Sequence, residues 1–488
     1  MVAGGDAAPL GAIALLAGTL IAMGEAAWEV VTWPNAFVVF VAVVWFVPIK
    51  LYRFQVDLPF QLEAYRVAIL LLILAFIASS MYAGREVNAA GVGAPLFALA
   101  AAALLSQVIN APSLDIPGSE GQALKSLSFL LSFIVVFLIM SSTLDRVQDI
   151  DRVIAALVIG GVVVALAAVY EGRTLYNVFD HLDNWVPFAR NQRDVFDYRG
   201  GRLRVHASAQ HPIALGAAFM LIVPLAAYLA RKAATSLKTA AWMGAAGILL
   251  IGALTTISRT TAAMGAAMLL MTLWLRPRVA VRSLPLLLVL PFIAHAAAPG
   301  AIGGLAKSFG LAGGEPLIAS VQGRAGESGS GRLSDIDPAL DLWSRSPIVG
   351  LGIDSPEITA PTSPFRSQEG QIAPVPLIFD DQYLLTLVTL GLLGIIGTVW
   401  FVWGSTAKLA FGARRATGND GNLLAACAIA CAGYGVGMLF YDAFAFVQVT
   451  LFFFIVAALG LRAAVLARSS PSGPGIANEA TLSSSQPR

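Results

Sequence analysis

The sequence predicts an all-α polytopic membrane protein, and three observations carry that prediction. Hydrophobic residues make up 57% of the 488 and charged residues only 12%, a composition that cannot clothe a water-facing surface of this size. Mean hydropathy is +0.77. The apolar residues also fall in runs bounded by polar punctuation, near the ~20 residues that a helix needs to cross the hydrocarbon core.

From the N-terminus the runs are Leu10–Met23, Trp28–Pro48, Arg66–Tyr82, Val92–Ile109, Leu124–Met140, Val153–Tyr170, Pro212–Leu229, Thr239–Ile257, Thr261–Leu275, Leu284–Ala298, Gln382–Trp403, Leu423–Phe440 and Ala443–Leu466. They predict about 12–13 transmembrane helices. The first is short, and no basic residue precedes it in MVAGGDAAPL, so it does not resemble a cleaved signal peptide and is read as a retained helix. Three short segments, Arg231–Lys238, Leu275–Arg282 and Lys408–Arg415, are basic and fall between alternate runs, which makes them cytoplasmic loops by the positive-inside rule. The remaining loops then face outward. Two of these are long, residues 171–210 and 299–379, and the larger is expected to be partly helical. The chain thus divides into an N-terminal transmembrane bundle, 1–298, with its outward loop 171–210. It continues with a large outward loop, 299–379, C-terminal transmembrane helices, 380–467, and a tail, 468–488, with the composition of a disordered segment. Near the N-terminus parity places Lys50, Arg53 and Arg66 outside, so either an early span is misread or the rule is broken there.

Several function classes fall away early. A net charge of +2 argues against nucleic acid as a partner, because neutralising phosphates calls for a strongly basic face. The only cysteines, Cys427 and Cys431, stand one helical turn apart in an apolar stretch and read as packing residues. The four histidines form no close cluster with them, so no metal site and no cofactor is expected. Charged residues are costly inside a bilayer, and here the spans are nearly free of them. A carrier is expected to keep charges or broken helices near the midplane, and neither is evident. Chemistry at the outer membrane boundary fits this distribution better than passage through it.

Four constellations lie on that outer side. RGGRLRVHASAQHPIALG (Arg199–Gly216) brings Arg202, Arg204, Gln210 and His211 just ahead of a span. TTISRTTAAMG (Thr255–Gly265) sets Arg259 at the turn between two spans. GRLSDIDPALDLWSRSPIVGLGI (Gly331–Ile353) lies in the large loop and contains Arg332 and Trp343. FDDQYLLTLVTLGLLGIIG (Phe379–Gly397) places Asp380 and Asp381 at the threshold of an apolar run. Loop 171–210 holds six arginines and no lysine. Arginine suits a diphosphate, since its planar fork donates paired hydrogen bonds and stays ionised when partly desolvated. The competing readings are plain ones: headgroup anchoring for the arginines, a helix start for His211–Pro212, and a helix cap for either aspartate.

In this order the constellations resemble the O-antigen ligase and polymerase superfamily of bacterial membrane glycosyltransferases. Arg204 stands eight residues before Pro212. Ser258–Arg259 sits between two spans, and Gly331–Arg332 is followed by Trp343 and by Pro347–Gly350–Gly352. Asp380–Asp381 open a helix that runs to Gly391–Gly394. Ligases of the family usually have His-Asn at the polar pair; the Asp-Asp here, with SAQHPIALG and DDQYL, looks closer to the exopolysaccharide or O-antigen polymerase branch. The resemblance implies a GT-C-like fold in the bacterial inner membrane with its active site facing the periplasm. It also implies an undecaprenyl-diphosphate-linked glycan donor and a saccharide or glycolipid acceptor. Transfer would be metal-independent and inverting, with Asp380 as general base and Asp381 in support. Arg204, Arg259, Arg332, Arg202, His211 and Gln210 would bind the diphosphate and substrate. A flippase or exporter would instead need a polar path through the spans, and a scaffold would have no need of arginines at several helix mouths.

Overall fold

The computed structural model describes residues 32–54, 62–114, 120–186, 188–191, 202–282, 300–308, 335–355 and 379–469, with short pieces at 198–199, 292–293, 295–296, 358, 363–366 and 372–375. Eleven of the apolar runs are helices: α1 (Trp33–Phe46), α2 (Ala64–Ala83), α3 (Gly93–Leu114), α4 (Glu120–Thr143), α5 (Val147–Thr174), α6 (Pro212–Lys232), α7 (Ser236–Thr255) and α8 (Arg259–Leu275) come first. Two short helices, α9 (Ala301–Ser308) and α10 (Ile336–Arg345), precede α11 (Gln382–Arg415), α12 (Gly418–Gly437) and α13 (Val447–Ser469). The run Leu10–Met23, most of Leu284–Ala298 and the tail beyond Ser469 lie outside the described residues. Among the described residues eight helices are long and apolar enough to cross a membrane. Among the described residues strands are confined to three two-residue to four-residue ribbons in the loops.

Helices this apolar on every side have no water-facing stripe, so their position in the bundle is set by packing. In α6 and α13, 83% of the spanning window is buried, against 22% in α2, so the first two form the centre and α2 faces lipid. Trp45 of α1 anchors that centre. Its ring lies 4.4 Å from Phe452 and 6.0 Å from Phe219, and its indole N–H donates to the Leu157 carbonyl at 3.1 Å. Cys427 and Cys431 are fully buried and unbridged, packing residues as their spacing suggests.

The charged residues sort to the two faces of the bundle. On one face Lys232 pairs with Asp151, Arg85 and Arg462 share Asp145 at 2.8 and 3.0 Å, and Lys408 donates to the Ala90 carbonyl at 2.7 Å. The basic segment Lys408–Arg415, read as a loop, is instead the end of α11. That helix of 34 residues extends about 51 Å and outlasts the hydrocarbon. On the opposite face Lys50 and Gln210 both donate to the Ala445 carbonyl, at 3.1 and 2.9 Å, and β1 (Tyr52–Phe54) pairs antiparallel with β2 (Phe188–Arg190). Lys50 and Arg53 therefore lie on the same face as loop 171–210. From α1 onward the early helices are those the apolar runs predict, so the parity that sets Lys50 and Arg53 on that face stands.

No broken helix is evident in the sequence, yet α11 is interrupted at Gly391, whose φ of 64° and ψ of −160° leave the helix. The segment Pro347–Gly352 fills the break by exchanging backbone hydrogen bonds with it. Leu351 and Gly352 donate to the carbonyls of Val388 and Thr389, each at 3.0 Å, while Leu392 and Leu393 donate to those of Pro347 and Ile348 at 2.9 and 3.2 Å. Gly350 and Gly391 face each other across this contact, and a Cβ on either would strike the other segment's backbone. This is the physical basis of the Pro347–Gly350–Gly352 and Gly391 spacing. Gly391→Ala should cost at least about 1–3 kcal/mol, since that backbone region is essentially reserved for glycine and the clash adds to it. Thermal unfolding in detergent should show a clear drop, and an unchanged midpoint would contradict the contact.

Candidate active site

The site face is assembled from the chain segments between spans. The first is the turn at residues 256–259 between α7 and α8. Arg204, only 3% exposed, donates from Nε to the Thr256 carbonyl at 3.2 Å, and Arg259 begins α8 from the same turn. The two arginines taken from separate motifs thus converge on one turn. Arg202 lies on a two-residue ribbon with Arg199. Arg332 lies outside the described residues.

The segment from Arg204 leads into α6 through Gln210 and His211. His211 caps α6: its Nδ1 accepts from the Ile213 N–H at 3.1 Å, with Pro212 in the first turn. An accepting Nδ1 requires that the proton of the neutral ring be on Nε2. The ring stacks on Phe446, 5.4 Å away. The helix-start reading of His211–Pro212 is therefore realised, and the stack ties it to the segment between α12 and α13.

The two acids at the head of α11 have different surroundings. Asp381 is the N-cap, its Oδ1 accepting from Tyr383 at 2.8 Å and Leu384 at 3.2 Å. Asp380 stands one residue before it and is half-buried. Gln382 then fastens the segment 438–446 to the helix head. Its backbone N–H donates to the Met438 carbonyl at 2.8 Å, and its side-chain oxygen accepts from Phe444 at 2.6 Å.

That segment carries a residue the motifs did not single out, Asp442. Burial pushes its carboxyl up to about 6; a hydrogen bond from Ala445 and the charge of Lys50 oppose the shift, while Asp354 and Asp380 add to it. Asp442, Asp354, Asp380 and Lys50 therefore belong to one electrostatic cluster. Lys50 is held on every side: its N–H donates to Glu63 at 2.6 Å, its carbonyl accepts from Asn191 at 3.0 Å, and its ammonium reaches Ala445. Desolvation lowers its pKa, with Asp442 pulling the other way, and desolvation raises Glu63 and Asp354. Asp354 also accepts from the Ser126 hydroxyl. The sequence signal for Lys50 was its breach of the charge rule; Asp354 and Asp442 left none, because nothing local ties either to Lys50.

Trp343, from the third constellation, donates to the Pro347 carbonyl at 3.0 Å. Ala339 and Leu342 of α10 pack with Leu351, Phe379 and Val388 in a small separate core. The tryptophan thus steadies the segment that fills the break in α11.

Fold and site together define a class: a multi-pass membrane protein that gathers arginines, a lysine and carboxylates at one mouth of its bundle. Residues 244–399 match the model of the Wzy_C family, described as O-Antigen ligase, a stretch that takes in Arg259, Asp380, Asp381 and the break at Gly391. The match covers less than half of the chain and supports the resemblance to the O-antigen ligase and polymerase superfamily; Arg204, Lys50 and Asp442 fall outside it. No curated protein matches the chain.

The raised carboxyl at Asp442 has a consequence for stability. A proton held more tightly in the folded state than in the unfolded chain stabilises the fold at low pH. That contribution is lost as pH rises from about 4 through about 6. Asp442→Asn should remove this dependence, so the variant should gain in melting temperature relative to the native protein between pH 4 and 7. Parallel pH curves for the two proteins would show that Asp442 does not titrate in this way.

Proposed function

We propose that this protein is a glycosyltransferase of the bacterial inner membrane that takes glycan from an undecaprenyl-diphosphate-linked donor and joins it to a sugar hydroxyl at the periplasmic face. The observation that carries the reading is the convergence of Arg204 and Arg259 on one turn, in a chain whose residues 244–399 match the O-Antigen ligase family. Polymerisation is favoured over transfer to lipid A-core, because the polar pair is Asp380–Asp381 rather than His-Asn. The division into a bundle at 1–298, a periplasmic loop at 299–379 and helices at 380–467 is part of the same proposal.

In the transfer, the acceptor oxygen attacks the anomeric carbon from the face opposite the diphosphate. The sugar–phosphate bond breaks with its electron pair going to the diphosphate, and the configuration inverts. Arg204 and Arg259 meet the charge growing on the leaving group, the role a divalent cation fills elsewhere. Asp380 accepts the proton of the acceptor hydroxyl as the bond forms. Asp381 is engaged with the first turn of α11 through the N–H groups of Tyr383 and Leu384, which leaves Asp380 to meet the acceptor. Lys50 and Asp442 flank the acids and set the field in which Asp380 works. Gln210 and His211, on the segment that links the arginines to Ala445, are placed to bind the glycan.

Asp380→Asn should lower transfer of a native lipid-linked glycan by about 10²–10⁴-fold, and Asp381→Asn, which can still cap, by much less. Arg259→Ala should cost tens- to a hundredfold, from a charge-assisted contact worth about 1.5–3 kcal/mol, with only part restored by lysine. Equal and small losses for both aspartates would leave the base elsewhere. Glycan that lengthens identifies a polymerase, glycan moved to another lipid a ligase, and glycan that only changes leaflet a flippase.

Orientation is tested separately. Trp185 and Leu237 are 87% and 80% exposed on opposite faces, and the native cysteines are buried. In intact spheroplasts an impermeant thiol reagent should label Trp185→Cys and spare Leu237→Cys. The reverse pattern would invert the topology.

A further inference from the structure

Arg204 lies between a two-residue ribbon and α6, in chain with no secondary structure of its own to hold it. Side chains from the end of α5 and just beyond it do so instead. Glu171, in the last turn of α5 and buried, accepts from two successive N–H groups, those of Ala207 at 2.8 Å and His206 at 3.4 Å. Asn177 takes the other side of the same residue: its Nδ2 donates to the Ala207 carbonyl at 2.9 Å, while its Oδ1 accepts from the Phe179 N–H at 2.9 Å. These two bonds fix the orientation of the amide, so the same Nδ2, 3.1 Å from His206 Nε2, is a donor there as well. The neutral ring then carries its proton on Nδ1, the nitrogen that stands 3.4 Å from Glu171, which is the opposite tautomer to that of His211. Asn177, His206 and Glu171 thus form one directional chain around the turn.

The turn needs such a grip. Ala207 has a left-handed backbone, φ 43°, uncommon for a residue with a side chain and kept only where the surroundings impose it. A carboxylate is also a costly choice where Glu171 stands, since burial and the negative end of the α5 dipole both oppose its charge. Packing alone would be met by an apolar side chain; the N–H groups of His206 and Ala207 call for an acceptor. From Ala207 the chain runs back through Val205, buried against Gly172, to Arg204, whose Nε donates to the Thr256 carbonyl. We propose that Glu171 and Asn177, with His206 between them, are positioning residues for Arg204: they set the turn that directs its guanidinium to residues 256–259. This rests on the function proposed above, in which Arg204 meets the charge on the leaving group, and adds the residues that keep it in place.

The test is a double-mutant cycle on the full-length protein in nanodiscs, with the cell's own lipid-linked glycan as substrate. Glu171→Gln keeps the shape and removes the charge. Asn177→Ala releases the other side of Ala207 and serves should the first variant fail to fold. Each should lower kcat by about tenfold with KM changed less than about twofold, because Arg204 acts on the transition state. In an Arg204→Ala background neither should lower it further, since residues that act through the arginine then have nothing to position. A role in stability alone would give losses that multiply with that of Arg204→Ala. Hydrogen exchange, which needs no substrate, should be faster over residues 203–210 in both variants and unchanged in α12. Native kcat in both variants, multiplying losses, or unaltered exchange over 203–210 would overturn the proposal. Should the native protein transfer glycan and Arg204→Ala be no slower, the leaving-group role of Arg204 fails and the positioning role falls with it. No transfer by the native protein removes the transferase, and the exchange result then still upholds or overturns the grip on the turn.

Discussion

The exchange of backbone hydrogen bonds at Gly391 is the contact on which the site depends. Within a membrane protein, peptide groups released by a helix break have no water to turn to and must find partners in the chain. Here Pro347–Gly352 supplies both the donors and the acceptors, and α3 locks the arrangement from the side: Ser106 donates to the Thr389 carbonyl at 2.8 Å and Asn110 to that of Gly350 at 3.0 Å. The contact fixes the first turns of α11, and therefore Asp381 as cap and Asp380 before it. It also fixes Asp354, two residues beyond Gly352, beside Lys50. In carriers the freed groups of a broken helix face the cargo. In this protein they are consumed by the loop, so the break serves as a socket for a protein segment.

Around that socket several charged groups gather near Lys50. Asp354 and Asp442 share the neighbourhood of Lys50, and Asp354 and Asp380 make ionisation of Asp442 less favourable. Lys50 adopts a left-handed backbone, φ 67°, unusual for a residue with a side chain, and its peptide groups are tied to Glu63 and Asn191. A cation held so firmly is a fixed point in the field. A carboxylate crowded by other acids and steadied by one cation is better suited to taking a proton from a weakly acidic hydroxyl than one paired directly with an arginine.

Much of the bundle was legible because its cause is local. Eleven helices follow from runs of apolar residues, and the helix starts at His211 and Asp381 follow from the residue types that satisfy a first turn. The Pro347–Gly350–Gly352 and Gly391 motifs were visible as spacings, but their meaning was not, because two glycines that need each other's missing Cβ are about forty residues apart. Lys408–Arg415 was misread because positive charge marks the membrane edge, not the end of a helix. Lys50, Asp354 and Asp442 were missed as a site for a related reason. Their association comes from the folding of the whole chain, and the one trace of it was a lysine on the face where the charge rule does not put one.

The Ala445 carbonyl accepts from Lys50, 395 residues earlier in the chain, and from Gln210. That single acceptor dates the completion of the mouth to the end of synthesis. Through the insertion of every helix before α13 the Lys50 ammonium has neither this carbonyl nor Asp442 to hold it. Only when the last hairpin enters the bilayer does the first segment gain its final partners. A chain cut short before the final hairpin would lack both the Ala445 carbonyl and Asp442 as partners of Lys50.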